Sequence, residues 1–414
     1  MKNSSKYLPW IIVFMVFIAT ALSFLDRQVL SVSIIKIKED FPISDTDYGF
    51  INTGFLISYA IMFTLGGILI DRFGSRKGLG FSVGIWSLAT ALHSIATNVF
   101  HFGIFRFFLG LGEGGAFPGA IKAVVEWVPK KKQALANGIA IGGAALGAVV
   151  APPLCVYLMA SIGWRGVFLV TGVFGLIWAV VWFLIPKKKE EYVAVLKEKE
   201  VKSWSHTFKA VGKILQIKEV WIFILIRFIL DPIFYYYMFW IPKYLSDSRG
   251  VDLEKIGELF WIPFLALGVS NMLGGYFSDK IYRKTGSLDW ARKGIMGVAA
   301  ILTLSALFVK YVPTEELVIL IMVIAFFAHG LWITNYITTI SDTFGKTITS
   351  TVIGLSGTAG ALSSVIVNPL MGKIIENYSY DPMWIYSGLM YPIAFILFLI
   401  MMPKIRQLKY LPSI

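Results

Sequence analysis

The sequence predicts an all-α membrane protein: twelve spanning helices in two six-helix, pseudo-symmetric halves, with both termini on the cytoplasmic side. Three observations lead there. Of 414 residues, 57% are hydrophobic and only 15% charged, where a soluble domain carries about 25% charged residues. Apolar runs of about 20 residues, the length that crosses a hydrocarbon core, recur along the whole chain. A short charged sequence also appears twice, 208 residues apart, at equivalent places in the two halves.

Taken in order, the expected spans are 8–33, 47–70, 78–97, 101–124, 134–159, 166–185, 218–244, 254–276, 293–311, 316–340, 349–374 and 382–402. The lysine-rich segment 186–217, with Lys187 to Lys189, is the one long polar interruption. It divides the chain into an N-terminal bundle (1–185), a cytoplasmic linker (186–217) and a C-terminal bundle with a short tail (218–414). Ala19-Thr20-Ala21 resembles a leader-cleavage site, but the apolar run continues past it and is read as the first span. Orientation follows from Lys and Arg, which concentrate in cytoplasmic loops. With the N-terminus inside, 26 of the 38 fall on the inner side and eight on the outer.

The net charge of +13 is therefore an orientation signal. Basic residues lie in loops between apolar runs, without the aromatic and basic surface that nucleic acid needs. A single cysteine, Cys155, excludes an internal disulfide. No cluster of metal ligands or phosphate-binding loop can be read, so neither a cofactor nor an enzymatic activity is expected. His93 and His101 flank an outer loop and are expected to meet solvent.

Charges inside the spans point to function. A charge at mid-bilayer costs about 2.5–3.5 kcal/mol on insertion scales, yet FRFFLGLGEGG in span four holds Arg106 and Glu113. They are seven residues apart, two helical turns, and share a face. Glu113 lies near the midplane among Gly110, Gly112, Gly114 and Gly115, which admit a close neighbour. Asp26 and Arg27 in span one lie at the depth of Arg106, so an Arg27–Glu113 or Asp26–Arg106 pair is expected. Arginine recognises a carboxylate bidentately and stays charged. A carboxylate among apolar groups favours its protonated form. The combination suggests an anion site with Glu113 as proton carrier and Asp26 second. Arg227 and Asp231 in span seven, at i and i+4 before Pro232, can satisfy each other along one helix. His329, Trp332 and Asn335 in span ten recur every three residues near mid-depth. Such a stripe suits sugar hydroxyls or interhelical bonds. Tyr59 in span two and Asn368 in span eleven are further candidate contacts.

The repeated sequence is GGILIDRFGSRKG (66–78) and GGYFSDKIYRKTG (274–286). Two halves in the same orientation are the parallel repeat of a rocking transporter. The first copy, through Gly67, Asp71, Arg72, Gly74, Arg76 and Lys77, resembles the inner-loop motif of the major facilitator superfamily. The second keeps Asp279 but has Tyr282 in place of the later glycine. The motif's contacts are expected to form in one conformation and break in the other, as a gate.

A narrower resemblance extends through almost the whole chain. LDR in span one, RFFLGLGE with a following FP, and IGWRGVF resemble the anion:cation symporters. VPKKKQALANGI, GAVVAPPL, the stretch 231–245 and ELFWIPFLALGVSNMLGG resemble hexuronate transporters. The resemblance implies a monomer in the bacterial inner membrane that moves glucuronate, galacturonate or a similar sugar acid together with protons. It further implies that Arg27 binds the substrate carboxylate with Tyr59 nearby, that Asp26 and Glu113 couple protons, and that Arg106 organises the pair. IAIGGAALG (139–147) departs from the family's pattern, lacking the amides of span five that would bond sugar hydroxyls. The alternatives are another organic anion, such as an aldonate or aromatic acid, or anion exchange on the same fold.

Overall fold

The structure is a computed structural model describing residues 4–185 and 211–408. The lysines at 187–189 and nearly all of the expected linker lie outside the described residues. The helices are α1 (Ser4–Asp40), α2 (Asp45–Leu92), α3 (Val99–Glu113), α4 (Ala116–Trp127), α5 (Gln133–Leu184), α6 (Lys218–Arg249), α7 (Leu253–Leu259), α8 (Trp261–Thr285), α9 (Leu288–Thr303), α10 (Glu315–Asn377) and α11 (Asp381–Met401). The described residues contain nine helical segments long and apolar enough to cross a membrane. The protein is an all-helical, multi-pass membrane protein.

Helices α2, α5 and α10 have 48, 52 and 63 residues, far more than one crossing needs at about 1.5 Å per residue. Each breaks at one glycine: Gly74, Gly163 and Gly345. Gly74 has φ 75° and ψ 163°, a conformation closed to side chains with a Cβ. One residue thus breaks the helix where a loop would otherwise be required. A different interruption separates α3 from α4 at Gly114–Gly115, immediately after Glu113.

Among residues 4–185, α1 packs on α5, and α3 and α4 pack on α2; among 211–408, α10 packs on α6, α8 and α9. The two groups meet along α2 against α10, α1 against α6, and α5 against α7 and α8. The span-four glycines are used by the neighbouring helix: a Cβ on Gly110 would strike the Phe55 carbonyl, and one on Gly112 would strike Ser82 and Trp86.

IAIGGAALG also serves packing. A Cβ on Gly143 or Gly147 would collide with the carbonyl oxygens of Phe17 or Ala21 on α1. Beside them, Thr20 Oγ1 donates to Ala140 O (2.6 Å) and Gln28 Nε2 to Ala148 O (3.1 Å). Small residues let helix backbones approach where lipid gives no hydrophobic drive. Gly147→Leu is therefore expected to push α1 from α5 at a cost of about 1–3 kcal/mol. A melt of the purified protein in detergent checks this, and an unchanged midpoint would contradict the close approach.

Candidate functional site

Consecutive residues on a helix point about 100° apart, so Asp26 and Arg27 on α1 face different neighbours. Arg27 turns to α3. Its Nε and Nη2 donate to Glu113 Oε2 at 2.9 and 2.6 Å. The guanidinium is enclosed by Phe24, Phe55 and Tyr59, with ring centroids 4.7, 5.0 and 4.8 Å from Cζ. Arg106, one face of α3 above Glu113, donates through Nη1 and Nη2 to the Arg27 carbonyl at 3.3 and 3.2 Å. All three side chains are buried. Of the two expected pairings, Arg27–Glu113 is formed, and Arg106 braces the main chain of α1.

The network is incompletely satisfied. Glu113 Oε1, Arg106 Nε and both Asp26 oxygens are buried without a hydrogen-bond partner. Asp26 lies near Thr90, beyond Gly74 on α2, and near Cys155 and Thr171, on either side of Gly163 on α5. The two threonine hydroxyls donate instead to the carbonyls of Trp86 and Phe168. Buried polar groups are nearly always paired. The carboxylates of Asp26 and Glu113 are exceptions to that rule.

Tyr59 stacks on Phe55 and meets Phe63 edge-on, with centroids 5.1 and 4.9 Å apart. Across the molecule, Arg227 Nε lies 3.1 and 3.0 Å from the Asp231 oxygens, and Nη2 donates at 2.7 Å. The expected local pair therefore exists, and it also reaches the other half: Arg227 Cζ lies 5.8 Å from the Phe63 ring. Sequence reading missed Tyr235, which lies near Arg27 and Tyr59 on one side and Arg227 and Asp231 on the other. Its signal was the i+4 spacing from Asp231.

The span-ten stripe is not a single surface. His329 stacks on Phe234 at 4.3 Å and its Nδ1 lies 2.6 Å from the Tyr391 hydroxyl. Trp332 packs against Tyr391 and Phe395 on α11. Asn335 donates to Gly274 O on α8 (3.3 Å) and Leu331 O (2.9 Å). Asn368 accepts from Trp240 Nε1 (3.1 Å) and donates to Ser364 O (3.2 Å). These residues face neighbouring helices, not the Arg27–Glu113 pair. His93 corrects an expectation: it is buried, stacked on Phe168 at 4.9 Å, with Nδ1 2.7 Å from Ala89 O.

The expected gate is partly described. Gly67 faces open space, Arg72 and Lys77 are exposed, and the Asp71 side chain lies outside the described residues. Arg76 donates to the carbonyls of Phe183 and Ile185, meeting the unsatisfied C-terminal end of α5. Asp279 pairs with Arg292 (3.2 Å), which also holds Asp342 (2.9 Å).

At the opposite end lies a cluster that loop-charge counting did not reveal. Lys243, 1% exposed, bonds Asp45 and Asp247 and lies 3.2 Å from the Tyr380 hydroxyl. Lys38 adds Asp247 at 3.5 Å. Below it, Tyr48 donates to Phe239 O (2.7 Å), Thr53 to Val365 O (3.4 Å) and Thr358 to Ala60 O (3.3 Å). The two halves are thus joined from Asp45 down to Phe63.

A family model described as Major Facilitator Superfamily matches residues 16–368. The chain is 30% identical over 380 residues to a probable sulfoacetate transporter of Cupriavidus necator, covering 89% of this chain and 87% of that one. It is 26% identical to the hexuronate transporter of Escherichia coli strain K12 (92% and 90% covered). It is 28% identical to a probable galactarate/D-glucarate transporter of the same strain (99% and 96%). Among solved structures, a bacterial homologue of the human lysosomal transporter Spinster, inward-facing and occupied, superposes with TM-score 0.80 at 18% identity, covering 98% and 99% of the two chains.

Proposed function

This chain belongs to the major facilitator superfamily, whose members here are transporters and not enzymes, and on that premise we propose that it is a proton-coupled symporter of a sugar-acid anion. The cargo is a hexuronate or a similar organic acid. The observation that carries the reading is the buried Arg27–Glu113 pair, bonded through one carboxylate oxygen with the other unmet.

Exchange at Arg27 supplies the coupling. In the empty protein Glu113 neutralises Arg27, so neither of these two charges is buried alone. When Glu113 takes a proton, its hold on the guanidinium weakens and the fork is free for a substrate carboxylate. One negative charge replaces another, and a proton enters with each carboxylate. Asp26, with two unmet oxygens, is the second candidate for carrying that proton. Tyr59 and the rings around Arg27 exclude water, which strengthens the charge-assisted bond. Arg106 fixes α1 by its main chain.

Broken at Gly74, Gly163 and Gly345 and continued through the α3–α4 interruption, the helices support twelve crossings in two halves of six. The Lys and Arg excess then puts the Gly74 end and both termini in the cytoplasm. On this orientation the Lys243 cluster closes the outer side. Gly67 on α2 and Gly138 and Gly142 on α5, each with open space beside it, belong to the inner side. Arg76 on the end of α5 and Asp279 on Arg292 brace that inner end, each bonded within its own half.

Uptake of labelled glucuronate into proteoliposomes under an inward proton gradient tests this. Accumulation above equilibrium that collapses with a protonophore is expected. Uptake indifferent to the gradient would remove the proton, and none at all would remove the hexuronate. The similarity to a sulfoacetate transporter keeps other organic anions as a second reading, which counterflow of competing acids separates.

A further inference from the structure

We propose that Arg227 and Asp231 form a second anion subsite, opposite Arg27 and Glu113, so that the preferred cargo is a small dianion whose two acidic groups are held one by each half. This rests on the symport reading above and narrows its substrate.

The two pairs are built alike. In each, an arginine places Nε and Nη2 on a carboxylate. Each is set in a helix of the central contact, α1 with α3 on one side and α6 on the other. They are connected by two aromatic rings in series: Arg27 to Tyr59 at 4.8 Å, Tyr59 to Phe63 at 4.9 Å, and Phe63 to Arg227 at 5.8 Å. Tyr235 lies near both. Side-chain exposures of 15% and 10% for Arg227 and Asp231 leave that pair more open than Arg27 and Glu113, at 4% and 0%.

A helix-stabilising pair would not need the room that α10 makes for this one. A Cβ on Gly360 would overlap the Asp231 carboxylate, and one on Gly357 would lie 3.1 Å from Arg227 Nη1. Two glycines, one turn apart, thus set the ion pair against bare helix backbone at the junction of the halves. The titratable groups around it are Tyr235, His329, Tyr336 and Tyr391. Among the described residues Asp231 is the carboxylate that answers Arg227.

Charge balance follows the same exchange. A second substrate carboxylate (or sulfonate) takes the Arg227 fork, and Asp231 accepts a proton from solution as it lets go. Two negative charges bind, two protons bind, and the buried charge is unchanged. A cargo with one acidic group fills only the Arg27 end.

D-Glucarate and D-glucuronate share a six-carbon chain and differ in having two carboxylates or one. Their binding to the purified protein, read by tryptophan fluorescence, and their counterflow in proteoliposomes form the test. The wild type is expected to bind glucarate about tenfold or more tightly, the value of one charge-assisted pair. Arg227→Gln should erase that preference and leave glucuronate within about twofold. Asp231→Asn, which removes the competitor and keeps the arginine, should tighten glucarate. Equal affinity in the wild type, or Arg227→Gln and Asp231→Asn weakening both acids alike, overturns the second subsite and leaves the symport reading standing. If neither acid binds or exchanges, the sugar-acid reading itself falls, and the subsite with it.

Discussion

Glu113→Gln is expected to abolish accumulation against a gradient while counterflow of substrate survives. The glutamine keeps the size and depth of the side chain but carries neither the negative charge nor an exchangeable proton. Arg27 is then buried without its counter-charge in the empty protein, and removing one partner of a buried pair costs about 3–5 kcal/mol. A bound anion relieves that cost, so the loaded protein becomes the stable form. Net uptake requires the empty carrier to return, and it is this step that fails. The expected loss of accumulation is about two orders of magnitude or more, at tenfold per 1.4 kcal/mol. Accumulation equal to wild type would remove Glu113 from coupling.

Arg27→Lys is expected to raise the KM for transport by about ten- to a hundredfold with the protein folded and in place. Lysine retains the charge but loses the planar fork that puts two N–H groups on one carboxylate. It also loses the flat surface that three rings enclose at 4.7 to 5.0 Å. One or two charge-assisted hydrogen bonds, at about 1.5–3 kcal/mol each, account for that range. Initial rates over a series of substrate concentrations measure it. A KM close to wild type would mean that the substrate carboxylate is held elsewhere.

Much of this arrangement was legible because apolar surroundings make charges conspicuous. Arg27, Arg106 and Glu113 stood out as the wrong residues for hydrocarbon, and their depth brought them together. The span-ten stripe left two readings open, sugar hydroxyls or interhelical bonds, and its residues make interhelical contacts for a geometric reason. Three-residue steps advance about 300°, so each residue falls about 60° behind the last. Over His329, Trp332 and Asn335 that drift leaves the first two on Tyr391 of α11 and turns Asn335 to Gly274 on α8. His93 was misread because a histidine at a span end looks like a loop residue; its burial, its contact with Ala89 O and its stacking on Phe168 show otherwise. Lys243 was hidden similarly. Asp247 at i+4 is a local partner, but Asp45 is nearly 200 residues away, and the local pair does not announce a lysine that is 1% exposed. IAIGGAALG read as missing amides, whereas its glycines bring α5 onto α1. Reading a lack of polar groups says nothing about the backbone contact that small residues permit.

The seal from Asp45 to Phe63 has an electrical consequence. A membrane voltage drops across whatever insulates, and an aqueous opening that reaches inward from the Gly74 end shortens the insulating path to that seal. Most of the field would then fall between Arg27 and the Lys243 cluster. A unit charge crossing the full voltage exchanges about 2.3 kcal/mol per 100 mV. In this form the proposed release of a proton from Glu113 to the cytoplasm would traverse little of it. Loading from outside needs the seal open, so voltage would act chiefly on the rocking step that moves the insulating layer past the charged site.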